Sequence, residues 1–216
     1  MRYRFDLHLH SYHSFDGVMA PRHMVALAKR RGLHGIAVTD HNSVRGGLAA
    51  FDLQCDDDFL VIPGTEIATD IGDILGLFVT EEIQSRQCTD VIAEMRAQGG
   101  VVILPHPFSH HRDLTPELLK QFDAVEVYNG RDRRDLSDQI RNELARPYGL
   151  TEMGNSDAHL YWEIGQAYNE LDIEDFSGEG VRHALLSGQC HPVRARARSA
   201  TAVYTSKIVK RLKRLI

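Results

Sequence analysis

The run Asp6-Leu-His-Leu-His-Ser-Tyr-His-Ser-Phe-Asp-Gly17 places three histidines and two aspartates in twelve residues near the amino terminus. His8 and His10 stand two apart in an alternating stretch, so on a strand both side chains share a face. Burying two imidazoles on an inward face is costly unless something uses them. Similar residues recur along the chain: Asp40 and His41 in "TDHN", Glu66 in "PGTE", His106 in "PHP", Glu126 and Asn129 in "EVYN", and Asp157 and His159 in "NSDAH". Imidazole nitrogen suits zinc, iron and manganese, and a carboxylate can bridge two ions. His8, His10, Asp16, His41, Glu66, His106, Asp157 and His159 form a set too large for one ion and suited to two or three divalent ions that share carboxylates. No cysteine belongs to it, which argues against a structural zinc knot.

For these residues to meet, the ends of several strands must converge. "RYRFDLHLH" alternates as a strand. "APRHMVALAKRRG" reads as a helix with Pro21 near its start, Met24, Leu27 and Ala28 on one face, and Gly32 as its stop. "GIAVTDHN" is a second strand, "FLVIPGTEI" a third that breaks at Pro63-Gly64, and "DILGLFVT" a fourth. The helix "TDVIAEMRAQGG" precedes the strand "VVILPHPF", and the short helix "TPELLKQF" precedes the strand "DAVEVYNG". "RRDLSDQIRNELARPYG" is a further helix, and "LTEMGNSDAH" a seventh strand running into a loop. Strands separated by helices argue for βα units around a parallel sheet, and seven units favour an α/β barrel over an open sheet. The candidate ligands then lie at the carboxyl ends of strands, the face that carries active sites in such barrels. His23, His34, His183 and His191 fall elsewhere and read as surface or packing residues.

Composition bounds the rest. The 216 residues fit one domain, with no internal repeat, low-complexity segment or linker. No apolar run approaches a membrane span and no secretory leader precedes the first strand. Cys55, Cys88 and Cys190 form no C-x-x-C pair and suit a reducing cytoplasm. The net charge of −5 is unevenly spread: eight Lys/Arg and no acid lie from Arg194 onward, leaving −13 before it. This divides the chain into a barrel over 1–193 and a basic strand or helix over 194–216. Ile208, Leu212, Leu215 and Ile216 fit a last helix docked on the barrel. The alternative is an anion-binding arm for nucleic acid or an acidic membrane surface.

In this order, "HLH", "TDHN", "GTE", "HP" and "NSDAH" resemble the successive motifs of the PHP (polymerase and histidinol phosphatase) domain family, over Asp6 to about His159. The resemblance implies a distorted (β/α)7 TIM-like barrel, a trinuclear centre of Mn, Zn or Fe, and hydrolysis of phosphate esters. It implies that His8, His10, Glu66 and Asp157 hold one ion, that Glu66 bridges to a second with His106, and that Asp16, His41 and His159 hold the third. Two positions depart from the pattern. Where the family often has a histidine after the sixth strand, this chain has "EVYNGR", leaving Asn129, a water, His110 or His111 to complete the second site. His13 rivals Asp16, although the "FDG" turn favours Asp16.

The chemistry expected is attack on phosphorus by a metal-bridging hydroxide held through Glu66 and Asp157, with bound metal lowering the pKa of water toward about 7. Arg112 and Arg131 are candidate phosphate clamps, and His13, His110 and His111 candidate leaving-group acids. A small phosphorylated substrate is the expected partner. Phosphate cradles and nucleophile elbows are absent. Two other readings compete: a metal-dependent amidohydrolase, a class that typically carries a bridging lysine missing here, and a non-catalytic metal-binding regulatory module.

Overall fold

The computed structural model describes residues 1–53, 57–109, 111–132 and 134–195. In chain order the elements are β1 (Arg2–Leu9), α1 (Pro21–Arg30), β2 (Gly35–Val38), α2 (Arg45–Phe51), β3 (Leu60–Thr69), β4 (Gly72–Leu77), α3 (Cys88–Ala97), β5 (Val101–Leu104), α4 (Pro116–Leu119), β6 (Ala124–Asn129) and α5 (Ser137–Ile140). A π-helical turn (Arg141–Ala145) follows, then α6 (Arg146–Tyr148), β7 (Thr151–Asn155), β8 (Ala167–Asp172), α7 (Gly178–Leu186) and β9 (Cys190–Arg194).

The strands form one sheet in the order β7-β6-β5-β4-β3-β2-β1-β8-β9. It curls into a nearly closed α/β barrel. Leu9 bridges Ala158 just past β7, and His10 N donates to Ala158 O at 2.8 Å. Asparagine side chains complete the closure: Leu7 N and Asn169 Nδ2 both donate to Asn155 Oδ1, at 3.0 and 2.9 Å, and Gly154 N donates to Asn169 Oδ1 at 2.8 Å.

The expected barrel is present, but it is not a uniform ring of parallel βα units. Among the described residues β4 runs antiparallel to both β3 and β5, β8 antiparallel to β1, and β9 antiparallel to β8. Nor does the third strand break at Pro63-Gly64, as its sequence suggests. It pairs in parallel with β2 up to Pro63 and in antiparallel with β4 from Gly64 onward. Proline, which lacks an N–H for the ladder, sits where the strand changes partners. Cys55, His110 and the basic stretch from Arg196 onward lie outside the described residues; Cys88 and Cys190 are buried free thiols.

An apolar cluster of Phe5, Leu7, Leu60, Ile62, Leu75, Leu77, Ile103 and Met153 packs from the strands onto α7. A second cluster packs Leu9, Ile36 and Val38 against Met24 and Ala28 of α1. β1 serves both, because its register against β2 slips between Asp6 and Leu9. Such an irregularity re-aims side chains: Phe5 and Leu7 join one cluster and Leu9 the other, while His8 and His10 are fully buried on the site side.

Candidate metal centre

The candidate residues lie within strands or in the segments that follow them. His8 lies in β1 and His10 directly follows it, His41 follows β2, Glu66 lies in β3, His106 follows β5, and Asp157 and His159 follow β7. All converge on two carboxylates. Glu66 is approached by His8 Nε2 (3.3 Å), His10 Nε2 (3.3 Å), His41 Nδ1 (3.1 Å) and His106 Nε2 (3.0 Å). Asp157 is approached by His10 Nε2 (3.2 Å), His159 Nδ1 (3.4 Å) and His8 Nε2 (3.7 Å). Asp16 reaches the same cluster, 3.3 Å from His159 Nε2 and 3.7 Å from His41 Nε2. Its rival His13 packs its ring against Tyr12 at a tilt, with ring centroids 4.4 Å apart.

Backbone and neighbouring groups fix this arrangement. His106 and Asp157 both have left-handed backbone (φ 29° and 51°), which costs a non-glycine residue energy and recurs where side chains are aimed at a functional site. Asp40 accepts from Ser11 N at 2.6 Å and from Ser11 Oγ at 2.7 Å, tying the loop that carries Asp16 to the end of β2. Glu163 accepts from His159 N and Leu160 N, each at 2.9 Å, and fixes the loop after β7. Asp40's supporting role has no sequence signal, since its donor is brought near by the fold, and Glu163 caps its own turn from a position where Leu160 replaces the usual serine or threonine.

Glu126 holds the ligands from behind. Its Oε1 accepts from His8 Nδ1 (2.9 Å) and Asn155 Nδ2 (2.8 Å), and its Oε2 from His106 N (3.0 Å) and Asn129 Nδ2 (2.9 Å). His8 therefore donates through Nδ1 and turns Nε2 toward Glu66. His159 likewise donates through Nδ1, to the carbonyl of Asp157 at 2.9 Å, leaving Nε2 toward Asp16. A second hydrogen bond that fixes which ring nitrogen is available is the usual support of a metal-binding histidine.

The electrostatics follow from crowding. Burial disfavours a charged His8, but Glu66, Glu126 and Asp157 outweigh it and raise its pKa well above the ordinary value. Against the same burial, the hydrogen bond and charge of Glu66 push His106 up to about 9. His10 is lowered to about 3 by burial and by the neighbouring His159 and His41. Burial works against ionised Glu66 and Asp157, yet the imidazoles around them hold both carboxyls well below the usual range.

The donor set fits divalent ions. His8 Nε2 and both ring nitrogens of His10 are buried without a hydrogen-bond partner, an arrangement that costs energy unless something else satisfies them. Potential ligand atoms lie within 4.8 Å of one another in three groups: His10, Asp16, His41 and His159; His8, His10 and Glu66; and Glu66, Asp73 and His106. Asp73 is the member that sequence reading missed. It does not lie at a strand carboxyl end, because β4 runs antiparallel and brings its amino end to the rim. The signal that locates it is the hairpin between two apolar runs, Thr69-Asp-Ile-Gly72.

The cluster floors a cavity of about 620 Å³ that is also lined by Phe15, Asn129, Ser109, Asp132, Arg112 and Arg131. Arg112 is exposed, and Arg131 lies 3.4 Å from the buried Glu163. Of the other residues considered for the second site, Asn129 donates to Glu126 and, at 3.3 Å, to Asp157. His111 Nε2 donates to the main-chain oxygen of Asp73 at 2.6 Å. The remaining histidines lie away from the cavity: His34 accepts from Arg4 N, His191 pairs with Asp172, His23 lies by Tyr161, and His183 is exposed on α7.

An α/β barrel with a histidine- and carboxylate-lined cavity at one rim defines a class of metal-dependent hydrolase folds. The PHP domain model matches residues 6–130 and a PHP-associated model residues 139–190, so this chain belongs to the PHP domain family. An uncharacterized protein of Methanocaldococcus jannaschii, MJ1587, is 32% identical over 170 residues, covering 73% of this chain and 97% of its own. Among solved structures, a two-domain protein of Bacteroides vulgatus containing a "predicted PHP-like metal-dependent phosphoesterase" superposes with a TM-score of 0.77 at 21% identity, covering 89% of this chain and 65% of that one. An amidohydrolase from Chromobacterium violaceum with bound sulfate superposes at 0.63 and 16% identity, covering 89% of this chain and 98% of that one. The lesion-specific endonuclease EndoQ of Pyrococcus furiosus superposes at 0.61 and 16% identity, covering 89% of this chain and 58% of that one. At these identities the structural likeness is one of fold. Among the described residues no helix is long and apolar enough to cross a membrane.

Proposed function

We propose that the chain is a metal-dependent phosphoesterase that hydrolyses a small phosphate monoester in this cavity. The observation that carries the reading is the convergence of five imidazoles on Glu66 and Asp157 at the floor of a cavity with two arginines on its wall. His8, His10, Glu66 and Asp157 would hold one ion, Asp16, His41 and His159 another, with Glu66 and His106 contributing to a further one. When bound, such ions supply Lewis acidity toward phosphoryl oxygens and lower the pKa of water.

The chain's own residues do the rest. Arg112 and Arg131 offer guanidinium groups to a phosphate, and fixed forks of N–H donors suit its oxygens. Glu163 holds Arg131 in place from the opposite side. Glu126 keeps the imidazole of His8 oriented, and Asn129 presents its amide between Glu126 and Asp157. No lysine lines the cavity among the described residues, which favours phosphate over the amide chemistry of lysine-bridged barrels.

The test is a phosphate-release screen over nucleotides and sugar phosphates, run beside amide and lactone panels, with elemental analysis of the same protein. Metal-dependent release from a phosphomonoester, silent amides, and two or three Mn, Zn or Fe per chain are expected. The double variant His8→Ala/His10→Ala should lose both metal and turnover. Hydrolysis of amides alone would move the chain to the amidohydrolase reading. Full metal stoichiometry in the double variant would refute the ligand assignment.

A further inference from the structure

We infer that Asp73, reaching in from the antiparallel strand β4, is the ligand that completes the second cation site with Glu66 and His106, in the role for which the end of β6 offers Asn129 in place of a histidine. The inference rests on the metal-centre reading above and concerns a residue that none of the family motifs contains.

Register makes the case. In the β3–β4 ladder Ala68 lies opposite Asp73 and Glu66 opposite Leu75. Residues two apart share a face, so Glu66, Ala68, Asp73 and Leu75 all face the same side, with Glu66 and Asp73 diagonal neighbours. Diagonal neighbours are roughly 7–8 Å apart at the backbone, within reach of side chains that lean toward each other. The residue opposite Asp73 is alanine, whose side chain leaves that space open. Ligand atoms of Glu66, Asp73 and His106 accordingly come within 4.8 Å of one another, and all three residues line the cavity.

The surroundings fix this geometry. His111 donates to the main-chain oxygen of Asp73 at 2.6 Å, and its ring centroid is 5.9 Å from that of His106. Gly72 allows the contact, because a Cβ there would collide with the His111 ring. Asn129 is committed at both ends of its amide, Nδ2 donating to Glu126 at 2.9 Å and Oδ1 accepting from Arg131 N at 2.8 Å. One imidazole and two carboxylates form an oxygen-rich donor set, which suits manganese or iron better than a soft-ligand ion.

The experiment is equilibrium dialysis of the full chain against Mn(II) and, separately, Zn(II), with elemental counting and a competition titration. Wild type, Asp73→Asn, Asp73→Glu, Asn129→Ala and Asp132→Asn are compared. Asp73→Asn should lose one ion per chain, or bind its weakest ion at least about 10-fold less tightly, a loss as large as removing a supporting group alone would cause. Asp73→Glu, which keeps the carboxylate, should retain the count, as should Asp132→Asn, whose carboxylate lines the same cavity outside the trio. If Asp73→Asn proves unstable, Asp73→Ser takes its place: loss of one ion per chain is expected, Asn129→Ala, which removes only a donor to Glu126 and Asp157, should keep its count, and an unchanged count in Asp73→Ser overturns the inference. Unchanged count and affinity in Asp73→Asn would also overturn it while leaving the metal centre intact. A wild type that holds no ion would remove both.

Discussion

Glu126 shows how the chemistry of a single residue can be visible in the sequence while its task is not. The sequence sets it among the residues able to do chemistry without giving it a role, and in the fold four donors occupy its two oxygens: His8 Nδ1, Asn155 Nδ2, His106 N and Asn129 Nδ2. A carboxylate so engaged orients ligands and does not itself bind an ion. Glu126→Gln keeps the size but turns one acceptor into a donor, so whichever oxygen is replaced, two of the four bonds become donor against donor. A buried polar group left unpaired costs roughly 1–3 kcal/mol, and loss of a group supporting a metal ligand typically costs 10–100-fold in affinity. The expected outcome is a folded protein whose Mn(II) or Zn(II) affinity drops by about that factor in a competition titration. Wild-type affinity would show that His8 is aimed without Glu126. The eight candidate ligands were legible because imidazoles and carboxylates at strand ends have few other reasons to be there. Glu126 and Asp40 act mainly through partners 20 or more residues away, which no local pattern encodes, while Glu163 caps a short turn three and four residues upstream that lacks the usual serine or threonine signal.

Elements were legible where one period dominates. β1, α1, α3 and the buried strands carry clear alternation or helical stripes, and they lie where those patterns put them. Strand direction was not legible: a run of apolar residues reads the same in either sense, so β4 passed as another parallel strand. α2 was hidden for a different reason. Its Gly46-Gly47 pair looks like a helix breaker, yet the fold demands both glycines. A Cβ at Gly46 would run into the Asp40 carboxylate and Ser11 Oγ, and one at Gly47 would meet the backbone of Val38 and Gly64. The helix forms because its glycines let it lie against the strand ends, at an intrinsic cost of about 1 kcal/mol per glycine. Gly46→Ala therefore tests packing against propensity. By propensity it would stabilise, whereas a clash with the Asp40–Ser11 hydrogen bonds should cost about 1–3 kcal/mol. Urea unfolding of the metal-free protein should show the loss; a rise in stability would mean that the Asp40 contact yields easily.

For the whole molecule, the balance between protein and metal should depend on pH in a direction that the site dictates. The body of the chain is acidic, and its buried cluster sets carboxylates among imidazoles. The folded-state pKa of His106 is pushed up to about 9 by Glu66, and that of His8 is raised well above ordinary by Glu66, Glu126 and Asp157, in both cases against burial. An unfolded histidine titrates near 6.5. A raised folded pKa adds stability that is fully present below the unfolded value and is lost as pH climbs through the folded one. The metal-free protein should therefore weaken between about pH 6.5 and 9. Glu66 and Asp157, held well below the usual carboxylate range, stay ionised throughout and do not oppose this. Divalent ions need the same imidazoles deprotonated, so their binding strengthens over the interval in which the free protein weakens. Ions present at 100 times Kd add about 2.7 kcal/mol, and a domain of this size shifts by roughly 2–4 °C per kcal/mol, or roughly 5–11 °C altogether. Thermal unfolding with Mn(II) and with chelator, at pH 6.5 and pH 8.5, should show a gap in Tm that is wider at the higher pH, with protons released when metal is added. A gap that stays constant, with no proton release, would mean that ions bind without displacing protons from His8 and His106, and the assignment of these two residues as ligands would fall.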